Sequence, residues 1–267
     1  MKWLLLVLVV SCVGEKSSSH KANTVTQDPT SIEPKVCSPG ALPEDYVRTE
    51  DYLAFPNFGY RGIGRCRGHA LLTQKLLLLM RFDPTDPTPL DCDTDPIVCR
   101  KKVRSLLAQV EQGNAVVIPG FASLAEFSAH PVIKPILRGK IISYGHTYMA
   151  NRLPLPGNEP RSVLVLKEAM KRVGLNQIPY LGIEGAQVGD HGVLGYDVTT
   201  KAGMKVLCIR DPNIVPAQGR EECDNYMFQD ENYIRYVRYA RPEDTIRLEI
   251  TDDEDRRINQ YRRTLCR

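Results

Sequence analysis

Residues 62–82 read GIGRCRGHALLTQKLLLLMRF. Ala70, Leu71, Leu72, Leu76, Leu77, Leu78 and Leu79 cover nearly every face of a helical turn. The spacing therefore predicts a helix over 67–82 that is buried on most sides. Cys66 stands at its start, where the helix dipole favours thiolate over thiol. The backbone N–H groups of a first turn lack intrahelical acceptors and can hold an oxyanion. Arg65 and Arg67 add positive potential, and Gly62 and Gly64 allow a tight turn and close approach of a substrate. A lone cysteine at a helix start also suits a structural role, so its meaning depends on what the rest of the chain brings to it.

Outward from this helix, Asp83 to Pro96 (DPTDPTPLDCDTDP) carries four prolines and reads as a loop. Arg100 to Gln112 reads as an amphipathic helix, with Val103, Leu106, Leu107 and Val110 on one side and Gly113 as its stop. Ala115 to Ile118 reads as a short apolar strand or a buried extension. Ser123 to Ser128 is a short helix capped by Ser123, and Ser162 to Val173 is a helix ended by Gly174. After residue 185 the texture changes. Val188–Val198, Met204–Arg210, Tyr233–Tyr239 and Thr245–Thr251 read as strands; in the last, Ile246, Leu248 and Ile250 alternate with charges. Helices first and antiparallel-type strands second predict an α+β fold, a helical part packed on a C-terminal sheet.

The whole chain has 267 residues, 42% hydrophobic and 25% charged, which excludes disordered and fibrous classes. A net charge of +3 gives no reason to expect a nucleic-acid partner. Residues 1–14 (MKWLLLVLVVSCVG) have one early lysine and an apolar run over Trp3–Val10. That run is too short to span a bilayer, which takes about 20 residues, and reads as a secretory signal over 1–11. Val9-Val10-Ser11-Cys12 resembles a bacterial lipobox, which implies cleavage, lipidation of Cys12 and anchoring to a membrane at the periplasm or cell surface. Ordinary cleavage between Ser11 and Ser19 is the alternative. Residues 12–34 read as a flexible tether and 35–267 as one domain. Export makes disulfides permissible.

Two further stretches answer Cys66. In Gly189-Asp190-His191-Gly192-Val193-Leu194-Gly195-Tyr196-Asp197 a histidine opens an apolar strand. In Val206-Leu207-Cys208-Ile209-Arg210-Asp211-Pro212-Asn213 a strand ends on Asp-Pro-Asn. If the two strands are hairpin neighbours, Asp211 or Asn213 stands beside His191. A cysteine nucleophile needs an imidazole within hydrogen-bond reach and a third group that fixes the imidazole tautomer. Taken singly, His191 could be a buried histidine in a glycine-rich turn and Asp211 a turn former.

The cysteine opening a central helix, "HGVLGYDV" and "IRDPN", in this order, resemble the papain-like cysteine peptidases, nearest the branch of bacteriocin-processing peptidase domains. The resemblance covers residues 55 to 215. It implies a papain-like fold, with Cys66 as nucleophile, His191 as base and Asp211 as orienting acid. Two features depart from the family pattern. Tyr60 stands where a glutamine that donates to the oxyanion is usual, six residues before the cysteine. Asn57 and the Tyr60 hydroxyl are the replacements at hand. Glycine follows Cys66 one position late, at Gly68. Asn213 is an alternative orienting residue, because papain-type enzymes use asparagine for that task.

Setting aside Cys12 and Cys66 leaves six of the eight cysteines. Locality favours Cys92–Cys99 and Cys208–Cys223, which leaves Cys37–Cys266 to clip the ends. No metal or other cofactor is expected. Cys66-x-x-His69 has no second pair at zinc spacing. Asp91-x-Asp93-x-Asp95 lacks the glycine and distant glutamate of a calcium loop. His69, His130 and His146 are expected to pack, and the arginine-rich 256–267 reads as a solvated helix face. The expected function is an exported thiol hydrolase, a peptidase or amidase, acting on a peptide or other amide. The alternative is an inactive surface lipoprotein that uses the same cleft as a binding module. Oligomeric state is not legible.

Overall fold

Cys66–Leu79 folds as one helix, α1, and every residue of it except Arg67 is buried. A helix apolar on all faces has no stable place except inside the protein. A computed structural model describes residues 52–60, 63–86, 88–145, 157, 159–185, 189–214, 223–237 and 247–250. The leader, the tether, Cys12, Cys37, Cys266, His146 and residues 256–267 lie outside the described residues. Just before α1, the two-residue strands β1 (Gly59–Tyr60) and β2 (Ile63–Gly64) form an antiparallel pair that leads the chain into Cys66.

The end of α1 differs from the expected Phe82. Met80–Asp83 leave the helix as β3, which pairs in parallel with β4 (Val116–Pro119). The apolar pattern continues past Leu79, but pairing with a distant strand outweighs helical propensity there. The next helix, α2 (Pro96–Glu111), starts four residues before the expected Arg100. Asp95, taken as part of the loop, is its cap: the carboxylate accepts from the N–H groups of Ile97 and Val98, and Pro96 suits the first turn because its missing N–H has no partner to lose. Helix α3 (Leu124–Ala129) is capped by Ser123 as expected. Helix α4 (Lys134–Gly145) was not legible in the sequence, although Ile133, Leu137 and Ile141 recur at one helical face and are fully buried. The last helix, α5 (Arg161–Gly174), ends at the expected glycine.

The C-terminal part is a six-stranded antiparallel sheet built from β5 (Tyr180–Gly185), β6 (Gly189–Lys201), β7 (Met204–Arg210), β8 (Tyr226–Asp230), β9 (Tyr233–Tyr236) and β10 (Arg247–Ile250), in the order β10-β5-β6-β7-β8-β9. The expected sequence order, helices then strands, therefore holds as an α+β architecture. Strand β9 is shorter than expected, while β5 and β8 were not anticipated. Alternation along the strands divides the sheet between two apolar clusters. Tyr180 and Leu194 join the cluster around α1 to α4. Leu181, Val193, Leu207, Ile209, Met227 and Ile234 join Val163, Leu166 and Ala169 of α5 on the other side. The sheet thus has helices on both faces, which its sequence order alone did not require.

β6 and β7 are hairpin neighbours. Lys201 pairs with Met204 across Ala202 and Gly203, both at positive φ (49° and 80°). That is the backbone a two-residue turn needs to follow strand twist. Disulfides join Cys92 to Cys99 and Cys208 to Cys223, as locality suggested. Such bonds suit a protein that folds in an oxidising compartment. Among the described residues no helix is long and apolar enough to cross a membrane.

Candidate active site

The approach to Cys66 is built by side-chain and backbone hydrogen bonds. Arg65 occupies the N-cap of α1, and its backbone N–H donates to Asn57 Oδ1 at 3.0 Å. Cys66 opens the first turn and, among the described residues, is the one cysteine outside a disulfide. Burial raises the pKa of its thiol, but a hydrogen bond and opposite charge from His191, with the N–H groups of Gly192 and Arg67, bring it below the ordinary thiol value.

Gly192 is where β6 meets α1. A Cβ there would lie 2.9 Å from Arg67 Cα and 2.7 Å from Tyr180 Oη. Only a glycine lets the strand approach the helix closely enough for its N–H to reach the sulfur. This glycine stood in the sequence motif, but its reason is a contact with a segment 125 residues earlier.

The hairpin delivers the acid to the histidine. Register pairs Leu194 with Arg210, so Asp211 follows directly beyond the end of β7. His191 Nε2–H donates to Asp211 Oδ1 at 2.9 Å. That leaves Nδ1 for the sulfur, the arrangement a nucleophile, base and orienting group require. Burial lowers the His191 pKa, yet the hydrogen bond to Asp211, the hydrogen bond to Cys66 and both negative charges push it up to about 9. Asp211 is only 2% exposed. Burial raises its pKa, and His191, the Asn213 N–H and the Tyr236 hydroxyl together hold it below the usual carboxylate value. The combined directions favour the thiolate–imidazolium pair beside an ionised carboxylate.

Asn213 meets Asn57 through its side chain and Asp211 through its backbone. Its side-chain oxygen accepts from Asn57 Nδ2 at 3.0 Å, and its backbone N–H donates to Asp211 Oδ1 at 2.8 Å. Asn57 thereby bridges two segments: Oδ1 takes the N–H just before the cysteine, while its own N–H and Nδ2 hold Pro212 O and Asn213 in the Asp-Pro-Asn turn. This places an amide beside the helix start that carries Cys66. Tyr60 lies in β1, and its side chain is outside the described residues.

His69 turns away from Cys66 and bonds Phe55 O at 2.9 Å, so Cys66 and His69 form no half of a metal site. Because the carbonyl accepts, Nε2 carries the proton. Burial brings its pKa down to about 4. In the acidic loop, Asp95 serves as the cap of α2, Asp93 meets His130, and Asp91 meets Lys102. Among the described residues no group of three or more such side chains could hold a metal ion.

Tyr236 is the member of this cluster that sequence reasoning missed. The alternation in Tyr233-Ile234-Arg235-Tyr236 puts Ile234 and Tyr236 on the buried face, which was legible. That the phenol reaches a carboxylate on another strand was not. Chemically, the row can supply a nucleophilic sulfur, a proton donor for a leaving group, and helix N-terminal N–H groups for a developing oxyanion. Comparison with known proteins found no matching family model, curated protein or solved structure.

Proposed function

We propose that this chain is an exported thiol hydrolase of papain-like fold, a peptidase or amidase, related most nearly to the bacteriocin-processing peptidase domains. The observation that carries the reading is the continuous hydrogen-bonded row from Cys66 through His191 to Asp211. In it, the Cys66 thiolate attacks an amide carbonyl. The oxyanion is held by the Cys66 N–H, with the Asn57 amide beside the same helix start. His191 gives its proton to the leaving amine, then takes one from water as the thioester is hydrolysed. The substrate class is a peptide, a peptidoglycan stem or another amide, and the site needs no cofactor. The two disulfides support export, and a lipid on Cys12 would hold the domain at the envelope surface.

The test is alkylation of the full mature protein by iodoacetamide across pH, read by intact mass, beside a cleavage assay on a peptide library. Rapid labelling of Cys66 near neutral pH, lost in His191→Ala, together with cleavage, is the expected result. Labelling that rises only near the ordinary thiol pKa sinks the hydrolase reading. Tyr60, at the position usual for glutamine, favours a second reading as a cleft-binding module; rapid labelling with no cleavage of any amide would select it.

A further inference from the structure

We infer that Tyr236 is a positioning residue for the candidate site, a fourth member that fixes the Asp211 carboxylate so that it stays turned toward His191. The inference rests on the reading of Cys66, His191 and Asp211 as the functional row. Asp211 Oδ1 is occupied twice, by His191 Nε2–H and the Asn213 N–H. Oδ2 receives the Tyr236 hydroxyl at 2.8 Å, and among the described residues no other donor reaches it. Both partners are deeply buried, Tyr236 at 0% and Asp211 at 2% exposure. For a carboxylate so buried each hydrogen bond bears directly on how it is held.

The surrounding charges do not take over this task. His69 lies close enough to feel Asp211 but is neutral at pH 7, its proton committed to Phe55 O. Arg210, the preceding residue, directs its guanidinium over the Tyr52 and Tyr196 rings. Cys66 and His191 are the pair that Asp211 governs. Position in the sheet explains the reach. Tyr236 pairs with Met227 in β8, Met227 pairs with Leu207 in β7, and Asp211 lies just beyond the end of β7. The phenol therefore spans β8 from the outer strand, so β9 is tied to a row whose other members sit on α1, β6 and the end of β7.

The deciding variant is Tyr236→Phe, which keeps the ring in its apolar cluster and removes one oxygen. The readouts are the His191 titration by NMR and the pH profile of Cys66 alkylation by iodoacetamide, neither of which requires turnover. Without the phenol the carboxylate is free to turn away from His191, which weakens the pairing that holds the imidazolium, and a weaker imidazolium destabilises the thiolate. The His191 midpoint should fall by about one unit and the acid limb of alkylation should rise. In an Asp211→Asn background the same change should move neither. Two results overturn the inference: a His191 midpoint equal in Tyr236→Phe and wild type, or an equal displacement with and without the Asp211 carboxylate. A protein that cleaves no amide while His191 titrates high in wild type and lower in Tyr236→Phe would remove the hydrolase reading and leave this inference standing.

Discussion

Two regions of this molecule bury a histidine to nearly the same degree and shift its pKa in opposite directions. His69, in the first turns of α1, is 5% exposed, and His191, near the start of β6, is 6% exposed. The first is pulled to about 4 and the second raised to about 9. Burial acts against the imidazolium in both. The difference is in the partners: His69 meets a neutral carbonyl, whereas His191 lies between a carboxylate and a thiol. Depth alone therefore makes a packing histidine, and only opposite charge on both sides makes one suited to hold and move a proton.

The strongest way to break this contrast is to give His191 the surroundings of His69. Asp211→Asn keeps the shape and removes the charge, so burial should dominate. The His191 midpoint should fall by about two units or more, and the alkaline limb of any activity should move down with it. The Cys66 thiolate should become scarce at neutral pH. NMR titration of His191 checks this, and an unmoved midpoint would show that Asp211 is not the source of the shift.

Acid stability sharpens the other side. Because the folded pKa of His69 lies below that of the unfolded chain, its contribution is fully present above about pH 6.5 and is lost as pH falls through about 4. In that window the unfolded state binds a proton that the folded state refuses. The effect is on the order of 3 kcal/mol. His69→Gln should flatten the loss. Urea midpoints at pH 7, 5 and 4 for both proteins measure it, and parallel curves would contradict the assignment.

The smallest expected effect tests the contact that joins the two regions. Gly192→Ala puts a methyl group against Arg67 Cα and Tyr180. It should cost about 1–3 kcal/mol of stability and draw the Gly192 N–H away from the sulfur, raising the Cys66 pKa while leaving the His69 region unchanged. Alkylation profiles and denaturant midpoints together read this, and a variant as stable and as reactive as wild type would show that the approach is looser than described.

How much was readable beforehand follows the range of the interactions. Cys66, His191 and Asp211 were chosen because each sits beside a local signal: a helix start, a strand start, and an Asp-Pro-Asn turn. The hairpin that brings the last two together has a short turn and alternating strands, so its pairing is nearly local. The choice between Asp211 and Asn213 was not legible, because the side chain that meets Asn213 belongs to Asn57, 156 residues away. The early start of α2 is written in Asp95 and Pro96, a cap and a first-turn proline set among loop prolines.

By itself the sequence determined the burial of α1, the cysteine at its start, the two local disulfides and the two strands that the structure then pairs as the β6–β7 hairpin. Each depends on residues close along the chain, where the entropy of closing a loop is small. Only the tertiary structure decided that α1 ends at Leu79 to let β3 pair, that helices cover both faces of the sheet, and that Tyr236 rests on Asp211. Those outcomes depend on contacts between distant segments, which no local periodicity encodes. The charge on His191 belongs with them, since it exists only when a helix, a hairpin and an outer strand bring thiol, imidazole, carboxylate and phenol into one buried place.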